Sequence, residues 1–163
     1  SFANGGTVWQ PYLIKRVETA EGRIIKKFEP VKTATIPLSK KTFELLRSAL
    51  WGAVNEQGGT GRAAMVPNAD VCGKTGTAQV VGLPQDPKAR RLKKISAFHE
   101  DHALFVCFAP RDNPEIVIAI VAENAGHGGA VAAPIARKMM EIYFNIQESD
   151  IRPQVANTAE TGR

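Results

Sequence analysis

The sequence predicts an α+β fold in which helices pack on an antiparallel sheet. Three observations predict it: β-rich stretches joined by short turns, segments in which apolar residues recur at helical spacing, and two strongly apolar strands separated by a short connection. The 163 residues, 44% hydrophobic and 23% charged, fit one globular domain that needs no disulfide framework. The longest apolar run, IVIAIVA, is too short for the roughly 20 residues of a membrane-spanning helix.

The N-terminal part of the chain is expected to form a hairpin and then a helix. Residues 12–28 contain two β-rich stretches on either side of the turn sequence TAEG, and they predict a partly exposed peripheral hairpin. Residues 40–56 predict an amphipathic helix with Ser39 as its N-cap, followed by a glycine-rich loop. The apolar stripe of this helix is formed by Phe43, Leu46, Leu50, Ala53 and Val54.

Three further strands and a closing helix complete the predicted fold. The strands are expected at 71–81, 103–109 and 116–123. Nearly continuous apolar strands are typical of a sheet that is covered on both faces. One cover is the helix predicted over 131–145, with Pro134 accommodated in its first turn. The polar tail, residues 147–163, is expected to be disordered.

The net charge of +5 comes mainly from one segment. Residues 86–95 hold five basic residues and one acidic residue, within a long connection between two strands. No aromatic side chains alternate with these charges, as base stacking would require, so nucleic-acid binding is not expected. A solvated loop is the favoured interpretation of this segment, and contact with an anionic partner is the alternative.

The cysteine and histidine residues indicate neither a metal site nor a cofactor site. Cys72 and Cys107 fall on strands that are expected to be neighbours; buried thiols are favoured, with a disulfide as the alternative. His99 and His102 flank two acidic residues, but a metal site needs several converging ligands. His127 lies in the G-H-G-G loop before the last helix, and substrate contact is the alternative to a purely structural loop.

The sharpest local feature is the sequence G-K-T-G-T at 73–77, for which two functional interpretations compete. A phosphate loop of the form G-x-x-x-x-G-K-[ST] is not expected, because Asn68 stands where the first glycine belongs and no helix follows. The other interpretation is the K-T-G element of penicillin-recognising serine enzymes. The triplet alone decides nothing, since a surface strand with a glycine bulge also contains it by chance.

The residue types of K-T-G suit the recognition of a carboxylate-terminated substrate that lies along a strand edge. Lys74 would supply fixed positive charge, and the Thr75 hydroxyl would donate a hydrogen bond to the carboxylate. Gly76, without a Cβ, would permit close approach of a ligand or of neighbouring backbone. Thr77 would offer its N–H to an oxyanion hole and its carbonyl to a substrate amide. All four are candidate substrate-binding residues, and Lys74 and Thr77 are also candidate catalytic residues.

Several longer stretches match one family in order and spacing. They are ANGGTVWQPYLIKRV at 3–17, LRSALWGAVNEQGGTGRAA at 46–64, GKTGTAQVV at 73–81 and DHALFVCFAPRDNPEIVIAIVAENAGHGG at 101–129. With these stretches and the closing helix, the chain resembles the C-terminal half of the transpeptidase domain of class B penicillin-binding proteins. The resemblance implies part of the penicillin-binding, β-lactamase-like fold.

The resemblance also implies a function. Enzymes of this family are serine D,D-transpeptidases that cross-link peptidoglycan stem peptides through an acyl-enzyme, and β-lactams acylate the same serine. They act without a cofactor on the periplasmic face of the bacterial inner membrane, anchored by an N-terminal helix that this chain does not contain. A membrane glycan polymerase and proteins of the elongation machinery are the implied partners.

The sequence departs from the family pattern in one decisive respect. None of its five serines is followed by lysine three positions later, and S-x-N is also missing; Y-x-N at 143–145 is interpreted as chance. The chain is therefore expected to carry one wall of the active site without the nucleophile, and to form no stable acyl-enzyme alone. Without the preceding half of the domain an apolar sheet face would be exposed, which favours self-association. A serine β-lactamase and a non-catalytic penicillin-recognising sensor are the alternative functions.

Overall fold

The computed structural model describes residues 1–80 and 97–146. Contacts divide the chain into two compact units, residues 1–47 and 48–163. The buried core cluster draws its residues from the second unit alone, while the short strands of the first unit are largely exposed. The basic segment 86–95 and the tail 147–163 lie outside the described residues. Within the described ranges, no helix has the length and apolar character needed to span a membrane.

Two short antiparallel ribbons make up the sheet structure of the first unit. Its strands are β1 (Thr7–Trp9), β2 (Arg16–Glu18), β3 (Ile24–Lys27) and β4 (Lys32–Thr35). β2 pairs with β3 as the hairpin predicted over 12–28, and Gly22 in its turn adopts a φ of 83°. β1 pairs with β4 in a ribbon that the sequence did not predict, because strands of three or four residues show no readable alternation.

Helix α1 (Lys40–Asn55) begins at the predicted cap and ends one residue before the predicted end. The backbone N–H of Thr42 donates to Ser39 Oγ at 3.1 Å, which satisfies one of the orphan donors of the first turn. Along the apolar stripe Phe43 and Val54 are buried, and the residues between them are partly buried.

The second unit is built on a three-stranded antiparallel sheet with the order β5-β6-β7. The strands are β5 (Cys72–Ala78), β6 (His102–Ala109) and β7 (Ile116–Ala122), close to the predicted bounds. In the register Gly73 lies opposite Cys107 and Thr75 opposite Phe105. Because β6 lies between the other two strands, β5 is an edge strand, and among the described residues no strand pairs with its outer edge.

Within the described residues, the two faces of this sheet are covered to different extents. Helix α2 (Ala132–Tyr143), predicted over 131–145, packs on the face that buries Phe105, Cys107 and Ile118. On the opposite face Val106, Val117 and Val121 are 49%, 59% and 62% exposed. At the other end of that face Cys72 and Phe108 are buried, so within the described residues the prediction of two covered faces holds only in part. The exposed apolar face that the resemblance implied is present.

Candidate functional site

Strand β5 presents the K-T-G sequence along the open edge of the sheet. A Cβ added at Gly73 would lie 2.6 Å from Phe105 Cζ and 3.1 Å from Cys107 Cβ, so this residue faces the core. Because side chains alternate along a strand, Thr75 and Thr77 share that face, whereas Lys74 points to the exposed face. A ligand lying along the free edge could therefore meet Lys74 from one side and Thr75 from the other.

Lys74 is exposed and lies close to the strand backbone. Its Nζ donates a hydrogen bond to the Thr75 carbonyl oxygen at 2.8 Å. Within the described ranges, no carboxylate forms a salt bridge with this ammonium group. The positive charge at the strand edge is therefore available to an anionic ligand.

Thr75 is half-buried, and its hydroxyl contacts a second threonine. Thr75 Oγ1 donates to Thr60 Oγ1 at 3.2 Å. Thr60 belongs to the glycine-rich loop after α1, which the sequence predicted only as a flexible connection. The sole sequence signal for Thr60 was its place in the matching stretch 46–64. The structure thus adds one hydroxyl to the candidate site.

A second glycine-rich loop, residues 126–129, packs against the same strand. A Cβ added at Gly128 would clash with the carbonyl oxygens of Gly76 and Leu104, so only glycine permits this approach. A Cβ added at Gly129 would lie 2.5 Å from the Thr60 carbonyl oxygen and 3.6 Å from Thr75 Cγ2. Three segments, β5 and the two glycine-rich loops, therefore converge on Thr75 and Gly76.

The remaining predicted site residues are less constrained. Thr77 is exposed and lies opposite Ala103 in the β5–β6 register. His127 is exposed, and its carbonyl oxygen accepts hydrogen bonds from the N–H groups of Ala130 and Val131 at the start of α2. This backbone role agrees with the structural interpretation of the G-H-G-G loop.

The two cysteines are buried thiols, so the disulfide alternative is wrong. Cys107 lies opposite Gly73, and Cys72 lies opposite Phe108, which places the two thiols on different faces of the sheet. Burial raises the pKa of Cys107 to about 12. Such a thiol stays protonated at neutral pH and is no candidate nucleophile. No cluster of three His, Cys, Asp or Glu side chains in the described ranges could hold a metal ion.

Comparison with known proteins decides the family. The family model "Penicillin binding protein transpeptidase domain" matches residues 1–141. The chain belongs to this family. The match extends over most of the sequence and includes β5 and both glycine-rich loops, so the geometry above describes part of a penicillin-binding transpeptidase domain.

Individual relatives agree with that assignment. The peptidoglycan D,D-transpeptidase MrdA of Haemophilus influenzae is 39% identical over 145 residues, which are 87% of this chain and 22% of the relative. The chain thus spans about a fifth of the length of that relative.

Solved structures confirm the fold class. The D,D-transpeptidase domain of a peptidoglycan glycosyltransferase from Eggerthella lenta superposes with a TM-score of 0.65 at 32% identity, over 91% of this chain and 30% of that one. Penicillin-binding protein A from M. tuberculosis, solved as a penicillin G acyl-enzyme complex, gives 0.63 at 27% identity, over 88% and 29%. The α+β prediction and the resemblance to penicillin-binding transpeptidases are therefore both correct.

Proposed function

We propose that this chain supplies the K-T-G wall of the substrate site in a peptidoglycan D,D-transpeptidase of the penicillin-binding protein 2 type. The ligand is the D-Ala-D-Ala end of a stem peptide, or a β-lactam that mimics it. The observation that carries the proposal is the position of the motif: it lies on an edge strand whose outer side is open among the described residues.

The alternation along β5 gives each residue a distinct role. Lys74 provides a positive charge with no salt-bridge partner in the described part of the chain, and it attracts the substrate carboxylate. Thr75 donates its hydroxyl to the same carboxylate, and Thr60 then donates to Thr75 in reverse of the hydrogen bond seen here. Gly76 lets the strand backbone lie close to its neighbour, since an added Cβ would lie only 3.2 Å from Leu104 Cβ.

Thr77 completes the proposed site at the backbone level. Its N–H serves as one donor to the oxyanion that develops when the serine attacks the substrate carbonyl, and its own carbonyl accepts from the substrate amide. Removal of one oxyanion donor typically costs 100- to 1,000-fold in rate, roughly 3–4 kcal/mol. A backbone donor of this kind suits an exposed residue on an edge strand such as Thr77.

The test is covalent labelling of the full-length protein that carries this chain with a fluorescent penicillin. Lys74→Ala and Thr75→Val should each lower the rate of labelling at least 10-fold, because both remove an interaction with the ligand carboxylate. Lys32→Ala and Thr35→Val make the same changes at exposed positions on β4 and should label at the wild-type rate. Equal labelling of the Lys74, Thr75 and control variants would refute the proposed site.

The 163-residue chain alone is proposed to be catalytically incomplete. It contains no S-x-x-K sequence to supply the nucleophile. Incubated with the same penicillin and run on a denaturing gel, it should show no covalent band. A band on this chain would overturn the assignment of the nucleophile to another part of the protein.

The transpeptidase function is preferred to the two alternatives, a serine β-lactamase and a non-catalytic sensor. The name of the matching family and the D,D-transpeptidase names of its relatives support it over a serine β-lactamase or a sensor. Rapid nitrocefin turnover by the full-length protein would instead favour the β-lactamase. Cross-linking of stem peptides by the full-length protein would exclude a sensor without catalytic activity.

The setting follows from the proposed reaction. A stem-peptide cross-linker acts where peptidoglycan is assembled, on the periplasmic face of the inner membrane, and the full-length protein is proposed to be anchored there by an N-terminal helix. Its proposed partners are a membrane glycan polymerase and other elongation proteins. For the basic segment 86–95 a solvated loop stays the favoured interpretation, with contact to an anionic polymer or partner as the alternative.

The exposed apolar face of the sheet is proposed to drive association of the isolated chain. Val106, Val117 and Val121 form a patch of the kind that soluble monomers seldom leave open. Sedimentation velocity should detect species larger than a 17.6 kDa monomer, and Val121→Glu should shift them towards the monomer. A wild-type chain that sediments only as a monomer would count against this association.

A further inference from the structure

We infer that Asn124 is a positioning residue of this site, acting through the glycine-rich loop that packs on the K-T-G strand. The expected effect on acylation rests on the proposed function, whereas the positioning of the loop rests on the geometry alone.

Asn124 lies in the turn that follows β7 and joins this turn to the segment before β6. Its backbone has a φ of 51°, in the left-handed region that asparagine tolerates better than most residues. In this conformation its N–H donates to His102 Nδ1 at 2.9 Å. Its side-chain Nδ2 donates to the carbonyl oxygens of Phe98 at 2.8 Å and Glu100 at 3.1 Å.

We call Asn124 together with residues 98–102 the Asn124 clasp. Asp101 adds three hydrogen bonds to it. The Asp101 carbonyl oxygen accepts from the N–H groups of Ala125 at 3.0 Å and Gly126 at 2.8 Å. Its Oδ1 accepts from the N–H of Val80, two residues beyond the end of β5, at 3.3 Å. The clasp therefore connects the ends of β5 and β7 through the segment that leads into β6.

The residues held by the clasp are immediately followed by those that contact the candidate site. Gly126 is fixed by Asp101, and two residues later Gly128 packs against the carbonyl oxygens of Gly76 and Leu104. Gly129 then approaches Thr60 and Thr75. Side-chain hydrogen bonds of Asn124 thus determine where the loop begins, and the loop sets the surroundings of Thr75 and Gly76.

Two substitutions separate the backbone role of Asn124 from its side-chain role. Asn124→Gly keeps the left-handed backbone and the N–H donor but removes both Nδ2 hydrogen bonds. Asn124→Asp keeps the shape of the side chain but replaces the Nδ2 donor by a carboxylate oxygen, which faces the carbonyl oxygens of Phe98 and Glu100. Asn145→Gly is the matched control, because Asn145 is exposed, has a φ of 52° and lies after α2, away from these contacts.

The first measurement is the second-order rate constant for acylation of the full-length protein by penicillin G. A displacement of about 1 Å in a reacting site can cost about 100-fold in rate, and we expect a loss of about 10-fold for each Asn124 variant. The Asn145→Gly protein should react at the wild-type rate. Wild-type acylation in either Asn124 variant, or an equal loss in Asn145→Gly, would overturn the inference.

The second measurement needs no reaction and uses the isolated chain. Backbone amide resonances of Gly76, Thr77 and Gly128 should shift and exchange faster in Asn124→Gly, whereas those of Ile118 in the core should not change. Changes spread evenly over the chain would indicate general destabilisation and refute a positioning role. If Thr75→Val leaves acylation unchanged while these local shifts appear, the proposed function fails and the clasp stands.

Discussion

The two faces of the three-stranded sheet are made by the same strands but have opposite surroundings. On one face Phe105, Cys107 and Ile118 are buried under α2. On the other, Val106 and Val117 are about half exposed or more, although their side chains are just as apolar. The difference teaches that apolar composition alone does not tell which face is covered; that depends on the helices available to cover it.

The K-T-G strand, β5, lies at the edge of the sheet and has side chains on both faces. Thr75 faces the covered side and is held by Thr60 and the glycine-rich loop, whereas Lys74 faces the open side. The free edge of β5 is thus packed against other residues on one side and exposed on the other. In the proposed function, the nucleophile has to approach from elements that the described residues do not include.

The largest expected effect comes from truncating the covered face. Phe105→Ala should lower the free energy of unfolding by about 3–5 kcal/mol, because it removes a fully buried ring from the core. Val106→Ala, one residue along the same strand but on the open face, should cost no more than about 1 kcal/mol. Urea unfolding of the two variants makes the comparison. Equal losses would mean that the two faces are not distinguished as described.

A smaller effect should appear in the pH dependence of stability. Burial raises the pKa of Cys107 from 9.0 to about 12. Below pH 9 the thiol is protonated in both the folded and the unfolded chain, so its contribution to stability is fully present there. As the pH rises from 9 towards 12, the unfolded chain loses this proton first, and the free energy of unfolding falls.

Cys107→Ala tests this dependence through the slope of the free energy of unfolding against pH. The variant is less stable at every pH because a buried side chain is shortened, but its free energy of unfolding should fall less steeply above pH 9. Denaturant unfolding at several pH values between 7 and 10.5 measures both slopes. Identical slopes in the wild type and the variant would show that Cys107 is not shielded from solvent by the covered face.

Much of the fold could be predicted from the sequence because burial leaves a regular pattern. The stripe from Phe43 to Val54 predicted α1 to within one residue, and the apolar runs predicted β6 and β7. The β1–β4 ribbon was missed, since its exposed three- and four-residue strands have no such pattern. The division into two compact units could not be predicted for the same reason, because composition does not report which segments share a core.

The candidate site was predictable only in part. The motif indicated Lys74 to Thr77 directly, since its residues are contiguous. Thr60 contacts Thr75 across 15 positions in the chain, and Asn124 contacts the segment before β6 across 22 to 26 positions; no local spacing in the sequence indicates such contacts. The Cβ clash at Gly128 likewise depends on the register of β5 and β6, which the sequence left open.

Recognition of a carboxylate at the edge of β5 is the interaction on which the proposed function most directly depends. The decisive measurement is the acylation rate of the full-length protein by penicillin G and by its methyl ester, in the wild type and in Thr75→Val. We predict that Thr75→Val slows acylation by the free acid at least 10-fold and leaves the already slower ester reaction within about 2-fold of the wild type. An equal effect on the acid and the ester, or no effect on either, would contradict carboxylate recognition by this strand.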